Sequence, residues 1–192
     1  TVVFLYLQTI GIVWLAVALH NPVTYVVAFV LMGRAHAQFA SLMNESAHRL
    51  LFATKSINDF VGRWLLGYPS FVNTDAYRFV HMAHHREEFG PNEPDIPLYA
   101  NYPITSQSFR RKLIRDLFGI TGTRLMRDQF AALYKGDARS RNTQLKILSV
   151  QTLILAVFVA IGHPFLYLFL WLLPFLTVWR AINRLRSIAE HG

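Results

Sequence analysis

The chain has 192 residues, of which 53% are hydrophobic and none is cysteine, and its formal net charge at pH 7 is +8. The lack of cysteine excludes disulfides and thiolate metal sites. The basic charge does not indicate nucleic-acid binding, because Lys and Arg are spread along the chain with no binding motif around them. We therefore attribute the positive charge to membrane topology and expect no nucleic-acid partner.

Two long stretches without Asp, Glu, Lys or Arg lie towards the two ends of the chain. They cover 1–33 and 147–179, so each has 33 residues. A single helix of that length would be about 50 Å long, against a hydrocarbon core of about 30 Å. Near the middle of each stretch a proline, Pro22 or Pro164, disfavours a continuing helix. Each stretch is therefore predicted to be a helical hairpin that crosses a membrane twice.

The first hairpin is predicted over 1–43 and the second over 146–181. Their spans are roughly 1–19, 22–43, 146–162 and 164–181. Of the 19 Lys and Arg residues, fifteen lie between Arg49 and Lys146, and three more lie at or beyond the end of the last span. By the positive-inside tendency this side of the membrane is cytoplasmic. We expect both hairpin turns to lie on the opposite side.

Residues 44–145 are predicted to form cytoplasmic amphipathic helices and one extended loop. A capping pattern at Ser56 begins the first helix, and Asn73 or Thr74 caps the second, "DAYRFVHMAHHREEFG". The stretch "PNEPDIPLYANYP" contains four prolines and is expected to be irregular. The helix over "SFRRKLIRDLF" has an apolar stripe beside basic residues. That pattern suits either anionic lipid headgroups or an ordinary solvated helix packed on its neighbour.

Three histidines of the second amphipathic helix have the spacing of a metal site. His81, His84 and His85 stand at i, i+3 and i+4, so on a helix their rings project from one face. Imidazole suits iron, zinc or copper. The same helix offers three carboxylates that could orient the rings: Asp75, Glu87 and Glu88.

The remaining histidines divide by their place in the predicted topology. His48 lies at the cytoplasmic end of the second span, and His191 follows the fourth, so both hairpins bring a histidine to the face that holds the amphipathic helix. We therefore predict one composite metal site. His20 and His163 lie in the opposite turns and are interpreted as structural. His36 lies at membrane depth, where we expect a polar interior contact and not ligation.

Three stretches carry a family resemblance: "NESAHRLLF", "HMAHHREEFGPNEPDIPLY" and "RLRSIAEHG". They resemble the integral-membrane fatty acid desaturases and their hydroxylase relatives, and the likeness covers nearly the whole chain. It implies an all-α membrane protein with four spans and three histidine boxes on the cytoplasmic side. It also implies a non-haem centre of two iron ions that uses dioxygen to remove two hydrogens from an acyl chain. The implied partners are a membrane lipid or acyl carrier as substrate, and a ferredoxin or cytochrome with its reductase as electron donor.

The resemblance also implies the ligands, although this chain departs from the family pattern twice. The matching positions are His48, His81, His84, His85 and His191. Where the first box usually begins with histidine this chain has Asn44, whose amide oxygen is predicted to be a weak or water-mediated ligand. The last HxxHH box would follow Gly192. We therefore expect 1–192 to be a single desaturase-like domain cut at both ends. Its last cytoplasmic part would begin at 182–192, and it would have too few ligands to be active alone.

Other functions remain open on these residues. A hydroxylase or ketolase could use the same scaffold. The protein could instead be a non-catalytic lipid-binding or assembly subunit, in which Asn44 and the missing box would be genuine features of the sequence. A transporter whose histidines relay protons or bind metal is disfavoured, because a transport path places polar groups near the midplane and these histidines cluster outside the membrane core.

Overall fold

The computed structural model describes residues 1–87 and 103–191, apart from the side chains of residues 190 and 191. Every regular element within these residues is helical, as the sequence predicts. The α-helices are α1 Val2–Leu19, α2 Pro22–Ala47, α3 Lys55–Phe60, α4 Thr74–Glu87, α5 Ser106–Leu117, α6 Ile120–Phe130, α7 Ala132–Lys135, α8 Ala138–Ala160, α9 Leu173–Leu176 and α10 Val178–His191. Val61–Gly67 and Tyr167–Leu172 are π-helical, and Tyr68–Ser70 is a 3-10 turn.

Four helical stretches are long and apolar enough to cross a membrane. They are Val2–Leu19, Pro22–Ala47, Ala138–Ala160 and Tyr167–Ala189. Large apolar side chains along them face outward, including Phe4, Trp14 and Leu153. Contiguous apolar surface of this kind is rare on a protein surrounded by water and suits contact with lipid. The predicted number of apolar spans is thus confirmed, and each helix overlaps its predicted range, although the third begins earlier, at Ala138, and the fourth extends to Ala189.

Only two residues separate α1, which ends at Leu19, from α2, which begins at Pro22. Asn21 caps α2, because its Oδ1 accepts a hydrogen bond from the backbone N–H of Thr24 at 3.0 Å. Pro22 follows at the first helical position, where a proline does not need its missing N–H. His20 has a left-handed backbone, and its Nδ1 shares a hydrogen bond of 3.0 Å with the Tyr25 hydroxyl. The structural role predicted for His20 agrees with this contact.

Close packing of α2 on the fourth span forms the centre of the bundle. A Cβ atom on Gly33 would lie 2.4 Å from the Cβ of Val178, so a side chain there would force the two helices apart. His36 is buried, and its Nε2 lies 3.0 Å from the carbonyl oxygen of Trp171, with which it shares a hydrogen bond. Trp171 belongs to a π-helical segment, where the regular hydrogen-bond ladder is interrupted. His36 therefore makes the polar interior contact that the sequence predicts.

Arg34, which lies in the same helix as His36, is bound within a small polar cluster. Its Nη1 donates a hydrogen bond of 3.4 Å to Gln8 Oε1, and Gln8 Nε2 donates one of 2.8 Å to Gln38 Oε1. Arg34 itself is exposed. Gln8 thus supplies a polar partner for the guanidinium group, and Gln38 in turn binds Gln8.

The middle of the chain packs directly on the spans. The amide of the buried Gln151 in α8 donates hydrogen bonds of 2.8 and 3.0 Å to the carbonyl oxygens of Tyr68 and Pro69. On another side, a Cβ on Gly122 would lie 2.2 Å from the carbonyl oxygen of Leu176, so α6 touches the backbone of the fourth span. These contacts hold the 3-10 turn that precedes α4, and the helix α6, against the spans.

Candidate metal centre

Buried hydrogen bonds and close packing join the C-terminal end of α2 to α3 and the π-helical segment. Ser46 Oγ donates a hydrogen bond of 3.0 Å to the carbonyl oxygen of Asn58, whose Nδ2 donates one of 2.8 Å to the carbonyl oxygen of Ser46. Both residues are fully buried. A Cβ on Gly62 would lie 1.9 Å from Ser46 Oγ, so only glycine fits at this crossing. These contacts hold the last turn of α2, just before His48, against α3 and the π-helical segment.

The first turn of α4 is attached to the same π-helical segment. Arg63 donates to both carboxylate oxygens of Asp75. Its Nε lies 3.1 Å from Oδ1 and 3.0 Å from Oδ2, and its Nη2 lies 2.9 Å from Oδ1. The buried Thr74 Oγ1 donates a hydrogen bond of 3.0 Å to the carbonyl oxygen of Gly62. Asp75 was predicted to be available to orient the histidine rings, and that prediction is wrong because Arg63 binds both of its oxygens. Glu87 is exposed, and Glu88 lies outside the described residues.

Arg78 connects α4 to the end of α2. Its Nε and Nη2 donate hydrogen bonds of 3.0 and 2.9 Å to the carbonyl oxygens of Ala47 and Ser46, which have no partner within α2. Nη2 also lies 2.6 Å from Asp59 Oδ1. Burial alone would raise the pKa of Asp59, but Arg78 and neighbouring arginines hold it below its ordinary value. Arg78 stands one turn before His81, so these bonds bring His81 to His48.

Three imidazoles converge where α2 and α4 meet. His48 Nε2 lies 2.9 Å from His81 Nε2, and His85 Nε2 lies 3.2 Å from the same atom. One ligand atom from each of the three histidines lies within 4.8 Å of the others. Two imidazole nitrogens bound at right angles to one ion, each about 2.1 Å from it, would be about 3.0 Å apart. The donor set therefore fits a transition-metal ion such as iron.

His81, at the centre of this group, is held in the neutral form that a metal ligand requires. Burial, together with the charges that His85, His48, His84 and Arg186 can carry, lowers the pKa of His81 to about 4. The ring therefore resists protonation in the absence of a metal. Its lone pair remains available throughout the neutral range.

Two predicted ligands lie outside this compact group. His84 is buried on the same helix, with its ring centroid 5.4 Å from that of His85 and 6.0 Å from that of His81. His191 is the last residue of α10, and its side chain lies outside the described residues. The ligand roles of His84 and His191 stay predictions.

Asn44 contacts the site through a tyrosine that sequence reasoning missed. Asn44 Oδ1 accepts a hydrogen bond of 2.8 Å from the Tyr77 hydroxyl, and the Tyr77 ring stacks on His81 with centroids 5.1 Å apart. Tyr77 stands four residues before His81, so helix periodicity could have placed it on the same face. One oxygen lone pair of Asn44 is thereby used. Its direct or water-mediated binding of metal stays a prediction.

A cavity of about 560 Å³ opens beside Tyr77. Its volume falls within the range of about 300–1,000 Å³ that is typical of small-molecule sites. Apolar side chains form one part of its wall: Met43, Phe71, Phe175 and Trp179. Residues from α2, α4, α6, α7, α8 and the fourth span contribute to this wall, and no local sequence pattern could have shown that they meet. Tyr77 lines the cavity and also touches the histidine group.

A known protein family matches nearly the whole chain. The model of the fatty acid desaturase family matches residues 8–192. No curated protein and no solved structure matches the chain. The matched range contains all the predicted ligands and nearly all of the four apolar spans.

Proposed function

Because the chain belongs to the fatty acid desaturase family, we propose that it is a membrane-bound acyl desaturase. The family implies an oxidoreductase of the desaturase and hydroxylase superfamily. The proposed reaction uses dioxygen and a di-iron centre to remove two hydrogens from an acyl chain of a lipid or an acyl carrier. One observation supports this most strongly. His48, His81 and His85 converge beside a cavity that can admit part of an acyl chain.

The proposed iron ligands are the three converging histidines together with three further residues: His84, His191 and Asn44. Three imidazoles alone are too few for two iron ions, since each ion prefers a larger set of nitrogen and oxygen donors. When bound, iron supplies the activation of dioxygen that an unactivated C–H bond requires. The hydrogen bonds between Ser46 and Asn58, and those of Arg78 to the end of α2, position the histidine backbones. Tyr77 holds the ring of His81 by stacking on it.

The same tyrosine links the metal ligands to the proposed acyl site. Tyr77 has one side against His81 and also lines the cavity. The apolar wall formed by Met43, Phe71 and Phe175 would bind an acyl chain and exclude water from it. A chain in this cavity would therefore pass close to the histidine group.

We further propose two membrane hairpins whose turns face away from the cytoplasm. Thr1 to Gly33 and Ile147 to Trp179 contain no charged residue, whereas most Lys and Arg lie between the two stretches. The positive-inside tendency then puts residues 44–145 and the histidines on the cytoplasmic side.

An external electron donor is part of this proposal. Reduction of dioxygen to two water molecules takes four electrons, and loss of two hydrogens from the acyl chain supplies two of them. The other two would come from a ferredoxin or a cytochrome with its reductase.

The test is oxidation of acyl lipid by the full-length protein in lipid nanodiscs, supplied with iron, dioxygen and a reduced ferredoxin. Mass spectrometry of the lipids separates loss of two hydrogens, expected here, from gain of one oxygen, which indicates the related hydroxylase or ketolase. His81→Ala should lose iron and activity, whereas His163→Ala, in the distant turn, should keep both. A wild-type protein that binds no iron and oxidises no lipid would support a non-catalytic lipid-binding homologue instead.

A further inference from the structure

The cavity beside Tyr77 has the guanidinium group of Arg180 in its wall, with no ion pair to a described side chain. Arg180 lines the cavity, and its Cζ lies 4.5 Å from the centroid of the Phe175 ring. Its Nε is buried without a hydrogen-bond partner among the described residues. None of the ion pairs between described side chains includes Arg180. The buried carboxylate of Asp116 is bound by Arg184, with Nη2 to Oδ1 at 3.0 Å.

A guanidinium group in this setting favours an anionic ligand. A buried donor left without an acceptor is unfavourable, and more so when it is charged. The cation–π contact of Arg180 with the Phe175 ring provides no hydrogen-bond acceptor for its N–H groups. The planar N–H edge of a guanidinium group matches phosphate and carboxylate oxygens.

Two other charged side chains among the described residues line the cavity. Arg186 lines the cavity together with Arg180, and the opposing charge comes from Asp128 on α6. Asp128 Oδ1 lies 3.5 Å from Nη2 of the exposed Arg127, which offsets part of its charge. Among the described residues that line the cavity, Asp128 is thus the only carboxylate that an anion at Arg180 would meet.

The position of Arg180 along the fourth span indicates which kind of anionic molecule can reach it. Arg180 is 16 residues beyond Pro164 in the turn, or about 24 Å along a helix, against a hydrocarbon core of about 30 Å. This position is close to the cytoplasmic edge of the proposed membrane, where acyl chains join their headgroups. A lipid could then place its anionic head at Arg180 and its chain along Phe175 and Met43.

We propose that Arg180 binds the anionic headgroup of a membrane phospholipid whose acyl chain occupies the apolar part of this cavity. The inference rests on the proposed function and deepens it, because it identifies the substrate as an anionic phospholipid. A membrane lipid is favoured over a soluble carrier because Arg180 lies at the level where acyl chains of membrane lipids join their headgroups.

The test compares two lipids with identical acyl chains, phosphatidylglycerol and phosphatidylcholine, bound to the full-length protein and observed by native mass spectrometry. Wild type should retain phosphatidylglycerol about tenfold better, the size expected for one charge-assisted contact. Arg180→Gln should bring that ratio close to one. Arg34→Gln is the matched control, since Arg34 lies in a span but contacts Gln8 outside the cavity. Equal retention of the two lipids by wild type, or an unchanged preference in Arg180→Gln, would overturn the proposal.

A second variant covers the case in which Arg180→Gln does not fold. Ala76 lines the cavity and is exposed, so Ala76→Trp should fill the space without disturbing a packed core. We expect it to lose retention of both lipids, and undiminished retention would contradict binding in this cavity. Displacement of phosphatidylglycerol by soluble 4′-phosphopantetheine would overturn the assignment to a membrane lipid.

These binding measurements need neither iron nor turnover. Loss of the lipid preference alone therefore removes the headgroup assignment and leaves the proposed reaction standing. A preserved preference with no oxidised lipid in the nanodisc experiment removes the proposed reaction instead.

Discussion

Arg78 donates a hydrogen bond of 3.0 Å to the carbonyl oxygen of Ala47, and so attaches the histidine helix α4 to the last residue of α2. The contact spans 31 residues of sequence. It lies next to His48 on one helix and one turn before His81 on the other. We therefore regard Arg78 as a positioning residue for the metal centre.

Arg78→Gln should lower both stability and iron content. The change removes hydrogen bonds to two carbonyl oxygens and leaves Asp59 without its closest cation, for a loss of about 2 kcal/mol. Arg127→Gln is the control, because Arg127 is exposed and its ion pair with Asp128 is long, at 3.5 Å. Thermal unfolding and iron per protein are the two measurements. If the two variants retain the same iron, Arg78 does not position the site.

Gly62→Ala should destabilise the protein, since the new Cβ would lie 1.9 Å from Ser46 Oγ. Forcing α2 away from the π-helical segment is expected to cost about 1–3 kcal/mol. Gly11→Ala is the matched control: it is also a helical glycine, but nothing lies within 4 Å of the added Cβ. That variant should be neutral or more stable by up to about 1 kcal/mol. Equal melting temperatures for the two variants would refute the close crossing.

The stability of the metal-free protein should fall as the pH is lowered from 6.5 to 4. The pKa of His81 is about 4 in the folded chain, below the 6.5 of an unperturbed histidine. Between these values the unfolded chain binds a proton that folded His81 does not, so acid favours unfolding. His81→Gln should remove part of this dependence. The measurement is the melting temperature of each protein across the pH range, and parallel curves would contradict the prediction.

Asn44 can be tested through its contact with Tyr77. Asn44→His should keep the fold and raise iron retention during chelator challenge, because it adds an imidazole one turn before His48. Asn44→Leu should lower iron retention and turnover, and it also leaves the Tyr77 hydroxyl without its acceptor. Repeating Asn44→Leu in a Tyr77→Phe background separates the two roles. If leucine then has no effect, Asn44 acts through Tyr77 alone. If leucine matches asparagine in both backgrounds, Asn44 has no role at the metal.

The topology can be mapped by single cysteines, since the chain has none of its own. Cysteine at Asn21 or Gly162 should react with an impermeant thiol reagent only from the non-cytoplasmic side. Tyr134→Cys, at a residue that is 88% exposed between the two hairpins, should react only from the cytoplasmic side. Labelling of all three positions from one side would refute the two-hairpin arrangement.

Local composition was enough to predict the apolar spans and the face of the histidine helix. Uncharged stretches broken by Pro22 and Pro164 predict four helices because burial in lipid excludes charge and proline interrupts the backbone ladder. Helical periodicity likewise places His81 and His85 on one face, which the structure confirms. Such features depend on neighbours within a turn or two, so they can be read along the chain.

Tertiary structure alone decided which distant residues meet. The carboxylate of Asp75 binds Arg63 and does not orient the histidine rings, because the π-helical segment brings that guanidinium group within 3 Å. The pairing of Tyr77 with Asn44 and the burial of the Arg180 Nε without a hydrogen-bond partner among the described residues likewise depend on how helices dock across the bundle. The physical reason is that side-chain periodicity sets which face of a helix a residue occupies, whereas the partner at that face is set by packing between elements far apart in sequence.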